Sequence, residues 1–79
     1  MLETMILLDT VDKVKSFVHL AHQCPYDVDI LSGRYLVDGK SIMGIFSLKL
    51  QEPVCVQVHG DDCEEFLKEL ERNFAQEEN

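Results

Sequence analysis

Ser32–Leu50 reads Ser-Gly-Arg-Tyr-Leu-Val-Asp-Gly-Lys-Ser-Ile-Met-Gly-Ile-Phe-Ser-Leu-Lys-Leu. Two turn signals, Ser32-Gly33 and Asp38-Gly39, bracket the short β-prone run Tyr35-Leu36-Val37. An apolar run starts directly after Ser41, with Ile42, Ile45 and Phe46 at helical spacing and Met43 and Leu50 extending the stripe. Ser41 is placed to cap that helix, its hydroxyl accepting from a first-turn N–H that has no partner of its own. The stretch therefore predicts strand, turn and capped short helix in succession.

Working upstream, Tyr26–Leu31 alternates, with Tyr26, Val28 and Ile30 on one face and Asp27 and Asp29 on the other. This pattern predicts a strand paired with Tyr35–Val37 through the Ser32-Gly33 turn, one face in water. Before it, Val11, Val14, Phe17, Val18 and Ala21 form one stripe of an amphipathic helix over Val11–Gln23. Asp9 or Thr10 can cap its start, and Cys24-Pro25 ends it, because a residue before proline avoids the helical region. Thr4–Leu8 reads as a first strand.

Downstream, Glu52-Pro53 breaks the pattern and Val54–Val58 alternates as a fourth strand. Gly60-Asp61-Asp62 forms a turn and cap. A last helix from Cys63 to about Gln76 carries Phe66, Leu67, Leu70 and Phe74 on one stripe, ahead of a frayed Glu77-Glu78-Asn79 tail. The order is β-α-β-β-α-β-α. It predicts an α+β fold, a two-layer open-faced sandwich with three helices on one face of a four-stranded, mainly antiparallel sheet. The free sheet face accounts for Asp27, Asp29, Gln57 and His59 alternating with apolar residues.

Size and charge narrow the function. The 79 residues predict one domain, spanning 1–79. A net charge of −8 repels nucleic-acid phosphates and anionic membranes and suits a basic protein partner. No apolar run reaches the length of a membrane span and no basic-then-apolar leader opens the chain, so a cytoplasmic location is expected. Cys24, Cys55 and Cys63 are odd in number and read as free thiols. His19, His22 and Cys24 form His-x2-His-x-Cys, but no second tight pair follows, so no metal and no cofactor is expected. Cys63 opens a helix, yet Asp61, Asp62, Glu64 and Glu65 around it oppose a thiolate, which reads as an inert thiol.

The piece Lys40-Ser41-Ile42-Met43-Gly44-Ile45-Phe46-Ser47-Leu48 resembles the second-helix segment of HPr, the histidine-containing phosphocarrier of the bacterial sugar phosphotransferase system. The order of elements and the Gly60-x-Asp62 ending resemble that family as well. The resemblance implies a phosphorylated histidine just before helix 1, in a Gly-Leu/Ile-His-x-Arg-Pro motif, where arginine and the helix N-terminus stabilise the phosphoryl anion. Setting Phe17-Val18 and Ala21 on the family's helix-1 core positions puts Thr10 at the histidine, Asp12 at the arginine and Lys13 at the proline. No histidine or arginine precedes His19, so the resemblance points to a member without the phosphorylatable histidine and without catalysis. In many Gram-positive members the serine of this Lys-Ser-Ile-Met-Gly piece is the target of a regulatory kinase, which makes Ser41 the candidate modification site.

Lys40, Ser41, Met43 and Ser47 are the candidate partner-binding residues. Met43 and Phe46 fit either exposed docking positions or the core. The expected function is a regulatory, protein-interaction module linked to the phosphotransferase system or carbon regulation. The alternatives are a phospho-switch at Ser41 and a phosphocarrier acting through His19 or His22.

Overall fold

Val54, Val56 and Val58 are all fully or almost fully buried, while Cys55 and Gln57 between them keep some exposure. That alternation belongs to the strand at the centre of the sheet. In the computed structural model, which describes residues 1–75, the elements are β1 (Leu2–Ile6), α1 (Val11–Gln23), β2 (Val28–Ser32), β3 (Tyr35–Asp38), α2 (Ile42–Phe46), β4 (Val54–Val58) and α3 (Glu64–Phe74). The sheet order is β1-β4-β2-β3, and every pairing is antiparallel. The architecture is the expected α+β open-faced sandwich. The anticipated end of the last helix at Gln76 and the Glu77–Asn79 tail lie outside the described residues.

β2 and β3 form the expected hairpin, in register from Asp29↔Asp38 to Ser32↔Tyr35. Gly33 in its turn has φ 58°, a left-handed conformation that costs glycine nothing. β4 inserts between β1 and β2, matching Leu2↔Val58 on one side and Val28↔Val58 on the other. One sheet face thus collects Ile6, Val28, Ile30 and the three β4 valines against Phe17 of α1, Ile45 of α2 and Leu70 and Phe74 of α3. Phe17 meets Phe74 edge to face, ring centres 6.1 Å apart, joining α1 to α3. Leu7 N–H donates to the Phe74 carbonyl at 2.9 Å and ties the end of α3 to the chain leaving β1.

Several boundaries differ from the sequence expectation, each for a packing reason. The first strand is Leu2–Ile6, not Thr4–Leu8, because pairing with Val54–Val58 ends at Ile6↔Val54. Leu7 then bonds to α3, and Leu8 is buried outside the sheet. The second strand starts at Val28, not Tyr26. The Tyr26 ring lies so close to Gly60 that a Cβ there would stand 2.3 Å from it. The turn at 60–62 does not supply a cap for α3: Cys63 occupies that position without a side-chain capping bond, and its thiol donates to the Gly60 carbonyl at 3.4 Å. Val11, expected on the buried stripe of α1, is 56% exposed at the helix's first position.

Candidate functional site

Two helix starts carry the residues that sequence reasoning singled out. At the first, Thr10 is extended and caps α1, its hydroxyl accepting from Lys13 N–H at 3.1 Å. Asp9 accepts from the Lys13 ammonium at 2.8 Å, and that bond holds its carboxyl below the ordinary value. Asp12 follows in the first turn, exposed, where its charge complements the helix dipole. Thr10, Asp9 and Asp12 thus make a capped and acidic helix start.

At the second, Ser41 caps α2 as its position in the sequence predicts, its Oγ accepting from Gly44 N–H at 3.2 Å. Ser47 closes the other end, donating its hydroxyl to the Gly44 carbonyl at 2.6 Å. Five helical residues cannot bury a full stripe. Only Ile45 goes fully inside, Ile42 is half-buried, Met43 stands 76% exposed and Phe46 40% exposed. Met43 and Phe46, which spacing alone left open between core and surface, are therefore on the surface. Lys40 is half-buried and its ammonium donates to the Cys24 carbonyl at 2.9 Å, at the C-terminal end of α1. Its charge serves that helix end, while Ser41, Met43 and Ser47 remain at or near the surface.

α1 and α2 pack against each other. Val11, Met43 and Phe46 consequently stand as exposed apolar side chains on two joined helices. Val11 was missed by periodicity, which treats a helix end like its middle. The available signal was its place directly after the cap, where a helix overhangs what it packs on.

The remaining candidates scatter. His19 and His22 are exposed on α1, Cys24 is buried, and His19 Nε2 lies 3.2 Å from the Gln23 amide nitrogen. Among the described residues, no three His, Cys, Asp or Glu side chains gather as a metal ion would need. Burial pushes the Cys63 thiol up, aided by Cys24, Glu64 and Asp62, in keeping with the inert-thiol reading. Burial and the Glu3 carboxylate likewise push up Cys55. No helix is long and apolar enough to cross a membrane among the described residues.

The family model for the PTS HPr component phosphorylation site matches residues 13–76. The chain belongs to the HPr phosphocarrier family. Solved structures agree: HPr-C-His from Thermoanaerobacter tengcongensis superposes with a TM-score of 0.77 at 28% identity, covering 99% of this chain and 100% of its own. The phosphocarrier protein HPr from Bacillus anthracis gives 0.72 at 24% identity, with 92% and 95% covered, which shows a shared fold. The histidine-containing phosphocarrier protein of a Mycoplasma gives 0.75 at only 13% identity, with 91% and 90% covered, a likeness of fold alone. No curated protein matches significantly. The family match begins at Lys13, just after the acidic helix start.

Proposed function

We propose that this chain is an HPr-family member that has exchanged phosphoryl transfer for regulation by protein contact. The observation that carries the reading is Thr10. The residue entering α1 is a threonine whose hydroxyl caps the helix, flanked by Asp9, Asp12 and the Asp9–Lys13 pair. A phosphocarrier needs a neutral imidazole there to attack the donor, and a cation beside it to stabilise the anion formed. A hydroxyl lacks that basicity, and Asp9 and Asp12 repel an incoming phosphoryl group. What the two packed helices offer instead is exposed apolar side chains, Val11 on α1 and Met43 and Phe46 on α2, the latter two on the short helix flanked by Ser41 and Ser47. The partner would be a protein of the phosphotransferase or carbon-regulation network, and the chain itself turns over no substrate.

A second reading rests on Ser41. A phosphate on its Oγ would keep oxygen acceptors beside the Gly44 N–H that the hydroxyl already engages. The helix would survive the modification, and the docking surface would gain charge.

Intact-mass spectrometry after two incubations separates the readings. One incubation contains phosphoenolpyruvate and the general phosphotransferase enzyme, the other ATP and the HPr kinase. The regulatory reading expects no mass gain with phosphoenolpyruvate. An acid-labile phosphate there would overturn it and direct attention to His19 or His22. An acid-stable phosphate gained with ATP, and lost in Ser41→Ala, would establish the switch.

A further inference from the structure

The sheet face turned away from the helices is not uniformly polar, and its register sorts it into two parallel rows. Met5, Cys55, Leu31 and Leu36 face one another across all four strands. The next row on the same face is Glu3, Gln57, Asp29 and Asp38. Four strands spaced about 4.8 Å apart make each row about 14 Å long, with the rows about 7 Å from each other. At the two ends of the apolar row, Met5 is 48% exposed and Leu36 59% exposed, while Leu31 and Cys55 between them are half-buried.

The second row carries three carboxylates, Glu3, Asp29 and Asp38. Glu3 accepts from the Gln57 amide, and Asp29 lies 2.7 Å from His59 Nε2. The Asp38 carboxylate accepts the backbone N–H of Lys40, whose ammonium is turned to Cys24 instead. Among the described residues, no lysine or arginine side chain pairs with any of the three carboxylates.

We infer that this face is a second docking surface, and that its occupant is a basic amphipathic segment. An α-helix laid along the apolar row would match its length in about ten residues. Apolar side chains at i, i+3 or i+4 and i+7 would rest on Met5, Leu31 and Leu36, and lysines or arginines along one border would reach Glu3, Asp29 and Asp38. Charge opposes the simplest rival occupant, a second copy of this chain, because each copy brings a net charge of −8 to the contact. The surface lies on the far side of the sheet from Ser41 and Met43, so it can be filled while α2 is engaged.

The test is an NMR titration of the isotopically labelled full chain with two synthetic peptides of about 15 residues. Both carry the same leucine stripe; one is bordered by lysines, the other by glutamates. The lysine peptide should shift the amides of Met5, Leu31, Leu36 and Cys55 together with Glu3, Asp29 and Asp38, and added salt should weaken it. Leu36→Lys, at an exposed position, should lower affinity by about tenfold or more. Asp29→Asn with Asp38→Asn should weaken binding several-fold, whereas Glu64→Gln with Glu65→Gln on α3 should not. Equal binding of the glutamate peptide, shifts centred on Val11 and α2, or a folded Leu36→Lys variant that binds normally would each overturn the assignment. So would sedimentation showing a dimer of the chain alone that Leu36→Lys dissolves, which would give the face to a second copy.

Discussion

Thr10 and Ser41 perform the same local task, each offering a side-chain oxygen to the N–H three residues on. Replacing either by alanine should lower unfolding stability by about 1 kcal/mol in a denaturant titration, the ordinary effect of losing such a cap. The two positions differ in what else the change should do. Ser41→Ala should also remove any kinase-dependent mass gain, whereas Thr10→Ala should leave phosphoenolpyruvate-dependent labelling at zero. The thiols allow a second prediction at this scale. Alkylation requires thiolate, and burial pushes both Cys55 and Cys63 up. With iodoacetamide at pH 8, Cys55 should react slowly, and the buried Cys24 and Cys63 only after denaturant is added. Peptide mapping of time points would show the order, and early loss of Cys63 would contradict its burial.

The elements show where local rules stop. Periodicity located all three helices, yet it misassigned Val11 and could not decide Phe46 or Met43, since spacing says which residues share a face and not what covers it. α2 is too short for its stripe to be buried throughout, so its surface and core roles separate residue by residue. Met43→Glu should leave the melting temperature unchanged and abolish partner capture at α2, while Ile45→Ala should cost 2–5 kcal/mol through the cavity it leaves. At the start of α1, Asp9 has its pKa lowered by Lys13. Its contribution is present above the ordinary carboxyl value of 3.8 and is lost as pH falls through the lower folded value. The melting temperatures of the native chain and Asp9→Asn should therefore differ slightly at neutral pH and converge in acid.

At the scale of the whole molecule, a chain of this length has about 4–12 kcal/mol of stability to lose. Phe17 is fully buried at the α1–α3 joint against Phe74. Phe17→Ala should remove about 3–5 kcal/mol, a large share of the total, and calorimetry should show the transition falling steeply or vanishing. By itself the sequence determined the order of elements, the β2–β3 hairpin and the Ser41 cap, because turns, caps and alternation act within a few residues. It also carried the family resemblance, in the Lys40–Leu48 piece. Only the tertiary structure decided that β4 runs between β1 and β2, since that pairing joins residues about fifty positions apart and no local energy encodes it. The same long-range register aligned Met5, Cys55, Leu31 and Leu36 into one row beside Glu3, Asp29 and Asp38. It turned the Lys40 ammonium toward α1 and left Val11, Met43 and Phe46 in water, because burial depends on which surfaces meet.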